Sequence, residues 1–537
     1  MKKIHLIGLS LLSGLLLSIS WPENGFSPLI FIAFVPFLFL QDYIGNQAVT
    51  KRSPSVFRIS YLGFLLWNIL TTYWIWNSTA VGGVAAIVLN SLFMSITFWL
   101  YRLCRTKIFN NKNGSFILIF FWLSFEYLHM NWDLNWPWLN LGHVFAFQHT
   151  WIQWYEFTGV PGGSIWILLM NLLAFHALKA FLNKELNFRK LYLPVLSFVL
   201  LGISPVVLSL MMYQSQKETG EETEVVVVQP NFDPYSEQYD LASREIIDRN
   251  LSLATTVITP NTSFVLSPES AIQEAIWEER LHASPGLKMV GNFVQEHPHL
   301  SVLIGASTFS NVPKGKEDDY AARKFMSSDN YYFAYNTAFL VDTTRKLAHS
   351  HKSKLTPGVE MMPSWFILRP LRKYAIDLGG TLGTLKMDDE RRVFHQANGP
   401  AVAAPLICYE SVYGEFVTGF IRNGANIIFV ITNDGWWGNT PGHRQHFSFS
   451  ILRAIETRRS IARSANTGIS AFINQRGDVF QRTPYWEQAV IRQSLHINNE
   501  LTFYVKHGDY LSRICAVLAG ISAAAALILI FIRRKKA

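Results

Sequence analysis

The chain has 537 residues, of which 50% are hydrophobic, 14% are aromatic and only 16% are charged, and its formal net charge is +9. Soluble domains average about 25% charged residues, so this composition excludes an ordinary soluble protein. The basic residues cluster in short loops between apolar windows, which argues against a nucleic-acid-binding protein.

Long apolar windows, nearly free of charge, lie at both ends of the chain. In chain order they are 4–21, 26–41, 57–76, 80–101, 115–130, 160–182, 191–212 and 512–532. A membrane-spanning helix needs about 20 such residues, with about 17 as a lower limit, so 26–41 and 115–130 are the shortest candidates. The pattern predicts a polytopic α-helical membrane domain of about eight spans. Seven lie in residues 1–212 and one in 511–537, on either side of a polar domain at 213–510.

Basic residues in the short loops predict the orientation of these spans. They are Lys2, Lys3, Lys51, Arg52, Arg58, Arg102, Arg105, Lys107, Lys112, Lys179, Lys184, Arg189, Lys190, Arg533, Arg534, Lys535 and Lys536. The alternate loops, WPENG and NSTAVGG, contain neither lysine nor arginine. Because basic loops stay cytoplasmic, residues 213–510 are expected outside and the tail inside. Residues 1–20 could be a cleaved signal peptide, but retention is favoured because WPENGFSPL leads directly into the next window.

Residues 213–510 alternate between strand-like and helix-like segments. Strand candidates are 224–232, 262–270, 300–308, 335–342, 400–408, 425–434 and 467–478, and helix candidates are about 235–257, 285–296 and 442–464. The run EVVVV is typical of a strand that is buried on both faces. The alternation predicts a layered α/β domain.

The chain has three cysteines, and Cys408 is the only one in the polar domain. Cys104 and Cys515 lie at the ends of predicted spans, so neither is an obvious disulfide partner for Cys408. A lone thiol outside the membrane stands where disulfides normally form. It is therefore either buried and inert or kept for its reactivity, and Cys408 alone does not decide between the two.

Three ionisable residues follow predicted strands, where α/β domains gather their reactive groups. Glu269 follows FVLSP, Lys352 follows FLVDTTRKLAHSH, and Cys408 follows APLI. Each also has an ordinary interpretation. The glutamate could cap a helix, the lysine could be one solvated lysine among several, and the cysteine could be buried.

Taken together, three motifs resemble the nitrilase superfamily. They are a Pro-Glu pair, a Lys-x-x-Leu-x-Pro-x-x-Glu-x-x-Pro loop and a Cys-Tyr-Glu turn, formed here by Glu269, by Lys352, Leu355, Pro357, Glu360 and Pro363, and by Cys408, Tyr409 and Glu410. The segments 432–438 (TNDGWWG) and 443–468 are similar to one membrane-bound branch, the apolipoprotein N-acyltransferases. One departure is Pro357-Gly358-Val359-Glu360, where the family usually has Pro-aromatic-Gly-Glu, and it leaves the lid contacts of this loop open.

The resemblance implies a nitrilase-like sandwich of α-β-β-α layers on the periplasmic side of the bacterial inner membrane. It also implies an N-acyltransferase that takes an acyl chain from a membrane phospholipid and forms a cysteine thioester. The acceptor would be the N-terminal amino group of a diacylglyceryl-cysteine apolipoprotein. Cys408 would then be the nucleophile, Glu269 the proton acceptor and Lys352 the cation at the developing oxyanion. This chemistry requires no cofactor and no metal, and a monomer is expected.

Supporting roles follow from the same resemblance. Glu360 is expected to position Lys352, and backbone N–H groups near Tyr409 to assist at the oxyanion. Glu410 either belongs to the site or is a structural residue paired with an arginine of the predicted helix 442–464.

The segments around the expected site contain further candidates. Trp436 and Trp437 are flanked by glycines and are candidates for a lid. His443 and His446 have an i, i+3 spacing that suits a metal-ligand pair. Without a third ligand, a polar start of the helix is the preferred interpretation.

Two other functions compete with acyl transfer. A membrane-tethered amidase or hydrolase would use the same triad and release its product to water. A polytopic transporter with an outer ligand-binding domain would carry ionisable groups within its spans, and Glu126 is the only acidic residue found well inside one. The tryptophan-rich segment 129–143 is expected to anchor the chain at the membrane interface.

Overall fold

The computed structural model describes residues 2–23, 25–47, 56–344, 346–361 and 384–536. Lys51 and Arg52, used to predict the orientation, and Pro363 of the lysine loop lie outside these residues. The helices are α1 (Lys3–Ile19), α2 (Val35–Gln47), α3 (Val56–Thr72), α4 (Ile75–Ser78), α5 (Ala80–Phe109), α6 (Ile117–His129), α7 (Tyr155–Leu182), α8 (Leu193–Ser215), α9 (Ser243–Thr255), α10 (Pro285–Glu296), α11 (Gly414–Arg422), α12 (Pro441–Thr457), α13 (Phe503–His507) and α14 (Tyr510–Lys536).

The strands all lie in the polar part of the chain. They are β1 (Glu222–Gln229), β2 (Thr262–Leu266), β3 (Ile272–Trp277), β4 (Ser301–Asn311), β5 (Arg323–Lys324), β6 (Tyr331–Val341), β7 (Ala348–His351), β8 (Phe394–His395), β9 (Val402–Ile407), β10 (Ile427–Thr432), β11 (Ile461–Ala465), β12 (Ala471–Ile473), β13 (Val479–Phe480) and β14 (Ala489–His496). Two compact units result. One comprises Met1–Trp76, Ala80–Ser215 and His507–Ala537, and the other Asn77–Thr79 and Gln216–Lys506.

The first unit consists of apolar helices, one over each predicted window. Among the described residues, five helical runs are long and apolar enough to cross a membrane: Ser27–Gly45, Ala80–Phe109, Tyr155–Leu182, Phe188–Ser215 and Tyr510–Arg533. Three others are shorter: Lys3–Ile19, Val56–Thr72 and Ile117–His129. Several apolar helices are thus confirmed, and the count of eight crossings stays a prediction. The run over the window at 26–41 is longer than predicted, because α2 continues past residue 41 and the apolar run reaches Gly45.

Two buried acidic residues lie within the apolar helices of this unit. Glu126 accepts hydrogen bonds from the Leu141 N–H (2.8 Å) and from Ser164 Oγ (2.8 Å). Asp42 lies inside the run Ser27–Gly45 and pairs with Lys179 Nζ at 2.8 Å. Asp42 follows the predicted window 26–41 and lies near the end of the run, so it does not contradict the prediction for Glu126. Both carboxylates have partners within the unit, which accounts for them as structural ties.

The second unit contains two β-sheets. The first has the order β14-β1-β2-β4-β6-β5, with β3 beside β4 and β7 beside β6. Its strands β1, β2 and β4 are mutually parallel. The second sheet has the order β13-β12-β11-β10-β9-β8, in which β9, β10 and β11 are parallel. This architecture confirms the predicted layered α/β domain.

The run of valines in β1 shows how the layers are built. Val226 and Val228 pack toward α9 and α10, together with Ile247 and Val290. Alternate residues point to opposite faces of a strand. Val225 and Val227 therefore join the core between the two sheets, which includes Ile407 and Phe429. Helices α11 and α12 pack on the second sheet, against β9 and β12, and complete the α-β-β-α order.

One predicted boundary is wrong in a way that matters for the site. The helix expected over 442–464 ends at Thr457, because Arg458 adopts a left-handed backbone (φ 51°). Residues Ile461–Ala465 then form β11, a parallel neighbour of β10. Arg463 therefore lies on a central strand and not on a helix.

Candidate active site

The three candidate residues follow the carboxyl ends of strands in the second unit. Glu269 lies after β2, Lys352 directly after β7, and Cys408 directly after β9. Strand β7 is antiparallel to β6, which is antiparallel to β4, so β2, β4 and β7 share one direction. Side chains separated by many residues therefore meet at one edge of the sandwich.

The Lys352 ammonium lies between two carboxylates. Its Nζ donates to Glu360 Oε1 at 2.8 Å and to Glu269 Oε1 at 3.2 Å, and the lysine side chain is 2% exposed. The Asn336 amide donates to the same two oxygens, at 2.7 Å for Glu269 and 3.2 Å for Glu360. The backbone N–H of Asn433 donates to Glu269 Oε2 at 3.1 Å. Three donor groups, from Lys352, Asn336 and Asn433, therefore hold Glu269 in one orientation.

Burial and charge act in opposite directions on this cluster. Burial would lower the pKa of Lys352, but the charges of Glu269 and Glu360 hold that pKa well above its ordinary value. Burial would raise the pKa of Glu360, but Lys352 and the Thr356 N–H hold it below its usual range. The lysine and Glu360 are therefore both ionised at neutral pH.

Cys408 is half-buried and begins a short helical turn, Cys408–Val412. Its backbone is in the left-handed region, with φ 51°, an uncommon conformation for a residue with a side chain. Burial raises the pKa of the Cys408 thiol and the Glu269 charge adds to this, while the Lys352 charge opposes it. The resting thiol is therefore protonated at neutral pH, and its activation needs a neighbouring base.

Glu410 connects the cysteine turn to the lysine loop. Its carboxylate accepts hydrogen bonds from the N–H groups of Ser353 (2.6 Å) and Ile407 (2.8 Å). The predicted alternative, in which Glu410 pairs with an arginine of the segment 442–464, is wrong. Arg453 of that segment binds Glu456 at 2.6 Å instead. Burial raises the pKa of Glu410 to about 7, although the two N–H groups oppose the shift. The residue thus fixes the residues next to Cys408 and Lys352 relative to each other.

A second charged network lies behind Cys408, and the sequence interpretation missed it. His446 Nδ1 is 2.9 Å from Asp434 Oδ1, and Arg463 donates to Asp434 Oδ2 at 2.7 Å. The other ring nitrogen, Nε2, lies 3.1 Å from the Cys408 carbonyl oxygen. His446, Asp434 and Arg463 are all fully buried. Asp434 stays charged, because Arg463 and His446 hold its pKa well below the usual range against the effect of burial.

The two histidines of α12 have different surroundings. His446 faces Cys408, whereas the His443 ring stacks on Tyr485 with ring centroids 3.9 Å apart. They do not form a ligand pair. Atoms of Cys408, Asp434 and His446 lie within 4.8 Å of one another, a spacing that could suit a metal. In that cluster both ring nitrogens of His446 and both Asp434 oxygens already have protein partners.

Aromatic residues flank the charged cluster. Trp436 lies in a turn after β10, and its ring is 5.2 Å from Tyr235 and 6.2 Å from Tyr239. Burial, followed by the Glu269 charge, raises the pKa of Tyr239. The Trp437 ring contacts the His446 ring at 5.6 Å. Both lid candidates thus lie beside residues of the site.

The altered lysine loop still presents Glu360 to the lysine. Leu355 is buried, and the Thr356 N–H donates to Glu360 Oε2 at 2.9 Å. Gly358 has φ 81° and its N–H donates to the Met361 carbonyl at 2.8 Å, which closes a tight turn. A glycine is favoured there because other residues rarely adopt that conformation. The departure from the usual loop pattern thus provides the turn that returns Glu360 to the site.

Two protein families match separate parts of the chain. Residues 13–173 match the apolipoprotein N-acyltransferase N-terminal domain, and residues 316–498 match the carbon-nitrogen hydrolase family. The carbon-nitrogen hydrolase match contains Lys352, Glu360 and Cys408.

Similar proteins extend over nearly the whole chain. An apolipoprotein N-acyltransferase of Chlorobaculum tepidum is 29% identical over 97% of this chain and 96% of its own length. One of Geobacter metallireducens is 27% identical over 96% of this chain and 94% of its own. Among solved structures, a Saccharomyces cerevisiae protein of branch 10 of the nitrilase superfamily covers 52% of this chain and 92% of its own, with a TM-score of 0.37 and 14% identity.

Proposed function

We infer that this chain, which belongs to the apolipoprotein N-acyltransferase family, transfers an acyl chain from a phospholipid to the N-terminal amino group of a diacylglyceryl-cysteine apolipoprotein. The observation that carries this inference is the similarity over nearly the full chain to relatives of that name. Glu269 pairs with Lys352, and the Cys408 thiol follows β9. These groups support the chemistry of acyl transfer.

In the first step, Cys408 Sγ attacks the ester carbon of the phospholipid. Glu269 accepts the thiol proton during the attack, since the resting thiol is neutral. A bond forms between sulfur and the acyl carbon, the ester C–O bond breaks, and the proton passes from Glu269 to the departing lysophospholipid oxygen. The acyl chain is then held as a thioester on Cys408.

In the second step, the α-amino group of the acceptor attacks the thioester. Glu269 accepts a proton from the amine, an amide bond forms, and the C–S bond breaks to return the thiol with that proton. Neither step consumes water. Glu269 returns each proton that it accepts, so both steps balance.

Lys352 has two functions in this mechanism. Its ammonium stabilises the oxyanion that develops in both steps, together with backbone N–H groups near Tyr409. It also orients Glu269 by a direct hydrogen bond, a task it shares with Asn336. Glu360 holds Lys352 from the opposite side. The loss of one oxyanion donor costs about 3–4 kcal/mol in enzymes of this type.

The apolar helices support a membrane location for this chemistry. Burial of each CH₂ group is worth about 0.8 kcal/mol, so extracting a whole acyl chain into water is costly. The family similarity favours the bacterial inner membrane, and the basic loops favour about eight spans with the catalytic domain on the periplasmic side. There the acyl chain can stay in lipid while its ester reaches Cys408. We propose that the enzyme acts as a monomer.

A reconstituted assay tests this function. The purified protein is incubated in detergent with phospholipid, with and without a diacylglyceryl-cysteine peptide. The expected products are an N-acylated peptide with the acceptor and only a stable acyl-enzyme without it. Steady release of free fatty acid in the absence of acceptor would instead identify a hydrolase.

His446 is proposed as a positioning residue for Cys408. Replacing it by alanine removes the group next to the Cys408 carbonyl and should slow acylation about tenfold, the value of one buried hydrogen bond. His443→Ala is the matched control on the same helix, since that ring packs on Tyr485. The measurement is the time course of acyl-enzyme formation at saturating phospholipid. Equal rates for both variants would exclude the role.

Trp436 is proposed to close over the site as part of a lid. Trp436→Ala removes the ring between Tyr235 and Tyr239 and should slow acyl-enzyme formation about 3- to 10-fold, as expected for one aromatic contact. Trp277→Ala is the control, because Trp277 packs on Phe309 and Phe325 instead. Unchanged acylation in Trp436→Ala would count against the lid.

A further inference from the structure

A second cluster of chemically competent side chains lies away from the cysteine. His349 and His351 alternate on β7, so both imidazoles point to the same face of the first sheet. Glu278 follows β3 and approaches them across that face. One ligand atom from each of the three residues lies within 4.8 Å of the other two. Lys352 is the next residue after His351, and its side chain enters the acyl-transfer site.

The surroundings of His351 resemble those of a metal ligand. Its Nε2 lies 2.7 Å from Glu278 Oε1, and its Nδ1 lies 3.7 Å from Asp388 Oδ2. The Asp388 side chain is only 7% exposed, and its Oδ2 has no hydrogen-bond partner among the described residues, although Arg392 Nε lies 3.4 Å away. A histidine that binds a metal usually directs its other nitrogen to a carboxylate, which fixes the ring.

Glu278 is held in a comparable way. Thr308 Oγ1 donates to its Oε1 at 2.7 Å, and Thr308 is itself fully buried on β4. The His351 ring stacks on Tyr335, with ring centroids 4.0 Å apart. Two of the three candidate ligands are therefore oriented by neighbours before any ion binds.

We propose that Glu278, His349 and His351 form a zinc-binding site that is separate from the acyl-transfer centre. Two imidazoles and one carboxylate are a ligand set that Zn²⁺ takes in proteins, with water in the fourth position. Hard cations such as Mg²⁺ and Ca²⁺ prefer sites made of oxygen alone. On binding, zinc replaces the hydrogen bond between His351 Nε2 and Glu278 Oε1, and the neutral imidazole carries its proton on Nδ1, which faces Asp388.

Zinc at this position would act on the strand that presents Lys352. It would bridge β7 to the residues after β3 and so fix His351, the residue before the lysine. The proposal does not depend on the acyl-transfer function, since the ligands face the opposite side of the strand.

The test measures zinc binding to the full-length protein in detergent. The protein carries Cys408→Ala, which removes the thiol of the other cluster, and is first treated with EDTA. Titration calorimetry with ZnCl₂ in excess Mg²⁺ should show one zinc per chain. His349→Ala and His351→Ala should abolish this binding. Asp388→Asn should retain it with an affinity about 10- to 100-fold weaker, as for other residues that orient a ligand.

A matched control is available on the same unit. His297 and His299 have the same i, i+2 spacing, but His299 Nε2 lies 3.1 Å from the Thr259 carbonyl oxygen. His299→Ala should bind zinc like the parent protein. If His351→Ala fails to fold, Asp388→Asn and zinc-edge X-ray absorption decide, with two imidazoles expected around the metal. Absence of zinc binding, binding unchanged in Asp388→Asn, or loss in His299→Ala would overturn the proposal.

Discussion

Cys408→Ala should give no acyl adduct after incubation with phospholipid, where the parent protein gains the mass of one acyl chain. Removing a covalent nucleophile costs about 10⁴-fold or more, because no other group can carry the acyl chain. Cys408→Ser should fail similarly, since a hydroxyl is a weaker nucleophile than a thiol and the buried Glu269 would have to ionise it. Intact-mass spectrometry of the purified protein measures the adduct directly.

The other two cysteines provide the controls for this experiment. Cys104 and Cys515 lie in apolar helices of the other unit, and single replacements by serine should leave the adduct intact. The Cys408 variants should still be recovered in the membrane fraction, because the change does not touch an apolar helix. An adduct that persists in Cys408→Ala, or that disappears in Cys515→Ser, would exclude Cys408 as the carrier.

Much of the fold could be predicted because it depends on local pattern. The valines of β1 form a continuous apolar run, and the structure places them in two cores on opposite faces of one sheet. The apolar windows coincide with apolar helices for the same reason. Glu269, Lys352 and Cys408 could be selected because chemically reactive residues follow strand-like runs.

The remaining features of the site depend on contacts between distant segments. Asn336 lies in the predicted strand 335–342, where a buried amide needs a partner; that partner is Glu269, 67 residues away in sequence. The end of α12 at Arg458 depends on one residue in a left-handed conformation, which helix propensity does not reveal. The sequence predicts only a polar helix start for His446, because its contact with Cys408 spans 38 residues.

Glu269→Gln should lower the rate of acyl-enzyme formation by about 10²–10⁴-fold, the usual contribution of a general base. Glutamine preserves the shape of the side chain but cannot accept the thiol proton. Because burial raises the pKa of the Cys408 thiol, spontaneous ionisation cannot compensate for the missing base. The rate is measured by quenched intact-mass analysis at saturating phospholipid, so that a change in lipid affinity is separated from a change in chemistry.

The same substitution should leave the domain folded, and this separates catalysis from stability. Removing one partner of a buried ion pair can cost about 3–5 kcal/mol when the remaining charge is left alone. Here Lys352 keeps Glu360 at 2.8 Å, so its charge stays compensated and a smaller loss is expected. Glu274→Gln is the matched control, since Glu274 accepts from Ser284 Oγ and the Gly286 N–H at the start of α10. If Glu269→Gln acylates as fast as Glu274→Gln, the base must be another group.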